Sequence, residues 1–357
     1  MAHYVEERPE RAETRRKSSR HKRGNKGTRI LRNIVIVIVI IALLLGAAVF
    51  VLDHFGRSKL TDDGTKMTVI EDAELDNSGR VRYKGQLYEY KKDITTILLM
   101  GVDSRSKEDS EGEFGASNQA DMNVLAVLDP ETRQITLISI SRDSMVEMEA
   151  VDELGNSAGT TKAQLALAYS YGDGGDVSCR LTRDAVSGLF YDLPIHAYAS
   201  IYLNGVADLV GEIGGVSVTA LESFKEFQEG QTVELTRSNT ESYIRYRAST
   251  VDGNNQRMDR QKQVLMAMAK TMLSRIRQKP ISALTVYDAV KRNVTTDLNT
   301  GSILYLARTA ARMHMNESVL KVPGESVLGE GNHAEFNVDE TALYEMILSV
   351  FYKPIEG

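Results

Sequence analysis

ITTILLMGVD, residues 94–103, is a run of nine apolar, β-branched or small residues that ends on a carboxylate. A continuous run of this length, without polar alternation, reads as a strand buried on both faces. Asp103 marks the point where that strand leaves the core. NVLAVLD (123–129) and QITLISIS (134–141) follow the same pattern, and the turn segment 130–133 between them predicts an antiparallel hairpin. Downstream, helical spacing is predicted over 162–171, 177–191, 204–213, 258–279, 282–291, 302–313 and 339–351. Residues 195–203, 216–219, 241–247 and 319–322 read as extended. This mixture predicts an α/β fold with a central mixed β-sheet covered by helices on both faces. There is no internal repeat or long low-complexity linker after residue 93, so 94–357 is expected to be one domain.

Ahead of that domain the chain changes character twice. Residues 1–33 carry eleven Lys and Arg against four Glu and almost nothing apolar, the composition of a disordered basic tail. Residues 34–52 then run for nineteen positions without a charge, enough to span a bilayer as one helix. Cleaved secretory signals have shorter apolar regions and end at a small-residue site, whereas this run ends VFVLDHFG, so an uncleaved anchor is expected. Arg29 and Arg32 sit at its N-terminal edge, so the positive-inside rule places the N-terminus in the cytoplasm and the remainder outside. Residues 53–93 are polar and turn-rich, and read as a stalk with a small hairpin around RVRYKGQLYEY.

Without the tail's eleven basic and four acidic residues, 32 basic and 45 acidic residues remain, a net charge of −13. Nucleic acid is therefore excluded as a partner of the outer part. The single cysteine, Cys179, rules out an intrachain disulfide.

If the two later strands form a hairpin, Asp121 at the start of one and Ser141, Arg142 and Asp143 at the end of the other share a sheet edge. A suitably placed first strand adds Asp103 beside the Gly/Ser/Asn-rich segment 104–119. Two Asp at such a mouth, with the six His scattered, favour a hard cation such as Mg²⁺, or Mn²⁺ in its place, over zinc. The alternative for any one Asp is a turn former or a helix cap.

The stretch YIRYRASTVDGNNQRMDRQ (243–261) holds four arginines. Read as a strand, Arg245 and Arg247 lie on one face, where an anion would relieve their repulsion. Arg257 and Gln261 share a helical stripe with apolar positions 265, 268, 272 and 276, and Arg260 falls beside it as a bystander. Guanidiniums near a helix start suit phosphate or pyrophosphate. A solvated surface is the competing reading.

Taken in order, ILLMGVDSR (97–105), the Asp121 region, ITLISISRDSMV (135–146), TKAQLALAYSYG (161–172), 193–218, YIRYR and DGNNQRMDRQ resemble the LytR-CpsA-Psr family of bacterial cell-wall proteins. The resemblance implies a membrane-anchored phosphotransferase of α-β-α build. Such an enzyme moves a teichoic-acid or capsule-type glycopolymer from a polyprenyl-pyrophosphate carrier to a peptidoglycan acceptor, at the outer face of a cell membrane, in keeping with a Gram-positive bacterium. It implies Mg²⁺ at Asp103 and Asp121, and pyrophosphate contacts from Arg142, Arg245, Arg247, Arg257, Gln261 and Gln119, with Lys162, at a matching motif position, as a further one. Asp143 or a metal-adjacent Asp would take the acceptor's proton. Gln119 stands where the family shows an arginine, and Ser141 where it shows a proline. The rival expectations are a lipid-pyrophosphate hydrolase and a binding module without turnover.

Overall fold

The computed structural model describes residue 60 and residues 67–110, 118–152, 154–247, 253–329 and 333–356. The chain divides into two units, Met1–Val49 and Phe50–Gly357. The basic tail and the expected anchor at 34–52 lie outside the described residues. Among the described residues no helix is long and apolar enough to cross a membrane.

The elements run β1 (Ala73–Leu75), β2 (Val81–Tyr83), β3 (Gln86–Tyr90), β4 (Thr95–Val102), β5 (Ala120–Asp129), β6 (Gln134–Ile140), β7 (Met145–Val151) and β8 (Ser157–Gln164). Next come α1 (Leu165–Ser170), α2 (Asp176–Leu189), β9 (Ala197–Tyr202), α3 (Leu203–Glu212), β10 (Val216–Thr219), β11 (Thr232–Leu235), α4 (Thr240–Arg245), α5 (Gly253–Gln278) and α6 (Ser282–Val290). The chain continues through β12 (Val294–Thr296), α7 (Thr300–Ala310), β13 (His314–Met315), β14 (Leu320–Lys321), β15 (Gly324–Leu328), β16 (Ala334–Val338), α8 (Glu340–Phe351) and β17 (Tyr352–Ile355).

The central sheet has the order β12-β9-β4-β5-β6-β13, with β14 also on β6. β4 is antiparallel to β5 and parallel to β9, and β5 is antiparallel to β6. The expected hairpin is thus present, and Asp129 shapes its turn by accepting from the backbone N–H groups of Glu131 at 2.9 Å and Thr132 at 3.2 Å. Period-two alternation divides β4 between two cores. Leu98, Met100 and Val102 pack with α1, α2 and α8 on one face. Ile97 and Leu99 face α5 and α7 on the other. A third cluster joins α3, α5, β10 and β11.

Two predicted elements differ from the structure. Residues 241–247, read as a strand, begin as the helix α4, with the adjacent Tyr243 and Ile244 both buried. The helix predicted from 162 starts at Leu165, and Lys162 belongs to β8. There the register sets Lys162 opposite Glu147, and Val146 and Met148 bury the opposite face of β7 from Glu147. The ribbon placed in the stalk is tied to the C-terminus. β3 pairs with β17, and Ala73, Val81 and Tyr83 enter the first core.

Candidate active site

The sheet connectivity brings three loop beginnings to one edge. β4 hands over to Asp103, whose backbone N–H donates to Gln119 O at 3.2 Å, and β6 is followed by Arg142 and Asp143. The end of β9 joins them, with Leu203 N–H donating to Ser104 O at 3.0 Å. Within β4–β5, Gly101 pairs with Met122 but Val102 pairs with Ala120, so Asp121 is the extra residue of a bulge. Bulges re-aim side chains, and here Asp121 and Met122 both line the same cavity although they are neighbours.

That cavity has a volume of about 500 Å³. Its polar mouth carries Asp103, Asp121, Arg245, Arg247, Arg257 and Gln261, and its body is lined by residues such as Leu99, Ile201, Val206, Leu209, Val264 and Met268. Arg257, Gln261, Leu265 and Met268 line it together, as the helical stripe predicts. Arg245 and Arg247 also reach it, but not as alternate positions of a strand. Arg245 closes helix α4, where its guanidinium pairs with Glu241 at 3.0 Å.

Arg142 stands behind the mouth rather than in its lining. Its guanidinium bonds Asp121 and Gln119 and lies 3.5 Å from Asp143. Gln119 therefore serves as an acceptor for Arg142. Arg257 Nη2 is 4.0 Å from the second oxygen of Asp121. Burial pushes the Asp121 carboxyl above its ordinary value; Arg142 and Arg257 oppose the shift and Asp103 adds to it. Burial also raises Asp143, against the pull of Arg142. Lys162 is exposed on β8 and does not line the cavity.

Asp103 and Asp121 fit a magnesium site. Mg²⁺ takes one or two protein carboxylates and completes its shell with water and substrate phosphate, and Asp103 lies near enough to disfavour the charge on Asp121. Among the described residues no cluster of three or more His, Cys, Asp or Glu offers a protein-only cage.

Three features escape a reading of the sequence. The apolar cavity body draws on β4, β9, α3 and α5 and has no local signature. Asp143 is held by the β15–β16 hairpin, where Phe336 N–H donates to Asp143 O at 2.8 Å, and by Gln164 Nε2, 3.4 Å from Asp143 Oδ1. Arg260, expected to be a bystander, is fully buried. Helical phase set it beside the inward-facing stripe, and only the carbonyls and carboxylate brought to it by other elements reverse that expectation.

The LytR_cpsA_psr family description matches residues 58–349. A polyisoprenyl-teichoic acid–peptidoglycan teichoic acid transferase, TagU, of Halalkalibacterium halodurans is 29% identical over 242 residues, which is 66% of this chain and 71% of that protein. TagU of Bacillus subtilis, with the same transferase name, is 25% identical over 337 residues, 92% of this chain and 96% of its own length. Among solved structures, a Streptococcus agalactiae protein superposes with a TM-score of 0.58 at 22% identity, covering 72% of this chain and 86% of its own. B. subtilis TagV does so at 0.54 and 23% identity, covering 73% and 97%. These two likenesses concern the fold. Because the family match spans most of the sequence and the strand edge carries the residues of its motifs, the chain belongs to the LytR_cpsA_psr family.

Proposed function

We propose that this protein transfers a glycopolymer from a polyprenyl-pyrophosphate carrier to a peptidoglycan hydroxyl, forming a phosphodiester. The observation that carries the reading is a single cavity whose mouth holds two carboxylates and three arginines and whose body is apolar. A ligand matching it has a charged, phosphate-like head and a hydrocarbon tail. The volume lies in the usual range for pockets that enclose most of a small ligand. The transferase names of the relatives support the same donor and acceptor classes.

In this reading the apolar walls hold the prenyl chain and exclude water, while Arg245, Arg247, Arg257 and Gln261 orient the pyrophosphate. Asp103 and Asp121 would hold Mg²⁺ with phosphate oxygens. A bound Mg²⁺ supplies Lewis-acid neutralisation of phosphate charge. The acceptor oxygen forms a bond to the sugar-side phosphorus as the bond to the bridging oxygen breaks, and prenyl monophosphate leaves into the cavity. Asp143 takes the acceptor's proton, because a carboxyl raised by burial is a better base near neutral pH. Arg142, between Asp121 and Asp143, links the donor and acceptor sides.

We also assign the cell-membrane location: residues 34–52 as a single span, the tail in the cytoplasm and the catalytic domain outside. Thiol labelling of single cysteines placed at residues 20 and 80 in intact cells tests it, and labelling of position 20 but not 80 would reverse the orientation.

The activity test uses full-length protein in detergent with Mg²⁺, a polyprenyl-pyrophosphate oligosaccharide and peptidoglycan fragments. Lipid monophosphate together with a sugar-phosphate adduct on the fragment is expected. Free sugar phosphate in place of the adduct would make the protein a hydrolase, and binding without product would make it a binding module.

A further inference from the structure

Arg260 is a charged side chain with no solvent exposure, and two of the residues it bonds, Tyr243 and Tyr246, flank the cavity-lining Ile244 and Arg245. Its Nε–H donates to the carbonyl of Tyr243 at 2.9 Å, and its Nη2–H donates to that of Tyr246. Nη1 pairs with Glu222. The guanidinium carbon lies 4.9 Å from the Phe224 ring centroid and 5.4 Å from that of Tyr246, two rings stacked at 4.1 Å.

The two carbonyls bracket Ile244 and Arg245 and immediately precede Arg247, three residues that line the cavity. α4 has six residues, too few to be stable alone, and the last carbonyls of any helix lack partners within it. Arg260 takes that of Tyr243, and the next residue, Gln261, donates from Nε2 to that of Ile244 at 3.4 Å. Consecutive residues of α5 thus cap consecutive carbonyls of α4 from outside the helix. Arg245 lies between the carbonyls held by Arg260, and Arg247 follows immediately. An apolar side chain of similar volume often stabilises a core better than a buried charge does. What it cannot do is hold two carbonyls three residues apart in one plane, which the guanidinium fork does.

We propose that Arg260 is a positioning residue of the cavity mouth: from within the fold it fixes segment 243–247 and thereby sets where Arg245 and Arg247 meet a lipid pyrophosphate. The proposal rests on the pyrophosphate reading of the cavity. Arg260 touches no ligand itself. Its effect passes through the backbone of two other arginines, and that makes it separable from a general role in stability.

The test titrates full-length protein in detergent with geranylgeranyl pyrophosphate and geranylgeranyl monophosphate. Arg260→Met is expected to weaken pyrophosphate binding about tenfold or more, as removal of one or two charge-assisted hydrogen bonds would, with a smaller effect on the monophosphate. In an Arg245→Ala/Arg247→Ala background the same substitution should add almost nothing, because sites acting through one another are not additive. An equal loss in both backgrounds, or no loss in either, overturns the proposal. Amide hydrogen exchange gives a readout independent of the ligand: exchange at 243–247 should accelerate while β4 and β5 stay protected, and unchanged exchange there also overturns it. Should Arg260→Met not fold, Arg260→Lys replaces it. A single ammonium cannot reproduce the fork, and the same selective loss is expected. If the wild-type protein binds neither lipid, the proposed function fails, whereas the exchange experiment still decides the role of Arg260.

Discussion

Gly101 offers a direct way to ask whether the cavity holds a hydrocarbon chain. Leu99 and Gly101 on β4 and Asp103 just after it all line the cavity, so the missing side chain at 101 lies between the apolar wall and the Asp103 carboxylate. A Cβ placed there would stand 3.2 Å from both Cβ and Cε of Met122; the flexible Cε end can swing away, whereas the contact to Met122 Cβ eases only by a shift of a few tenths of an ångström between the strands. Gly101→Leu adds four carbons to the space just inside the mouth. At about 0.8 kcal/mol for each buried methylene, displacing four chain carbons removes about 3 kcal/mol of binding, or roughly two orders of magnitude in KM for a prenyl donor. The polar groups at the mouth stay in place, so kcat should change little, the pattern of lost uniform binding. Steady-state kinetics with a long-chain donor and with a chainless sugar pyrophosphate would measure this, with thermal unfolding as the control for the overpacking cost of about 1–3 kcal/mol. Equal loss with both donors, or an unchanged KM for the long one, would refute a hydrocarbon-filled cavity.

Asp121→Ala should reduce Mg²⁺-dependent turnover by about 10²-fold or more, with Mg²⁺ affinity measured calorimetrically falling in parallel; intact turnover would remove Asp121 from the metal site. Lys91 and Asp129 form a buried pair at 3.1 Å. Burial alone would raise Asp129, but hydrogen bonds from Thr132 and the Lys91 ammonium hold its pKa below the ordinary value. A depressed folded-state pKa gives stability that is present above the unfolded-state value and lost as pH falls through the folded one. Asp129→Asn should therefore cost about 2 kcal/mol in denaturant unfolding at pH 7, with the gap from wild type narrowing in strong acid. Burial pushes the thiol of Cys179 up to about 12, so the native protein should resist thiol reagents at pH 8 and react fully once denatured. Native-state labelling at the denatured rate would contradict that burial.

Much of the site is visible in the order of residues because each contributor stands at a predictable end of an element. Asp103 closes a run too apolar to be anything but buried, and the hairpin turn at 130–133 forces Asp121 and Arg142 to the same edge. Arg257 and Gln261 follow from a spacing of four on one helix. The pair Arg245 and Arg247 shows the limit of such reading. Both reach the cavity, but from a helix end rather than a strand, because α5 caps the carbonyls of a segment too short to choose its own conformation. Lys162 matches a motif position and yet stands exposed on β8, away from the cavity lining.

Apolar periodicity and turn chemistry are local properties of the chain, and they suffice to specify the α/β class, the strand edge and the residue types gathered on it. Three further features emerge only once the chain is folded: Asp121 sits on a bulge, strands and helices far apart in the chain enclose an apolar space beneath the charges, and Arg260 belongs inside. Each of these depends on which distant segment supplies the partner, and neither local spacing nor residue type carries that information.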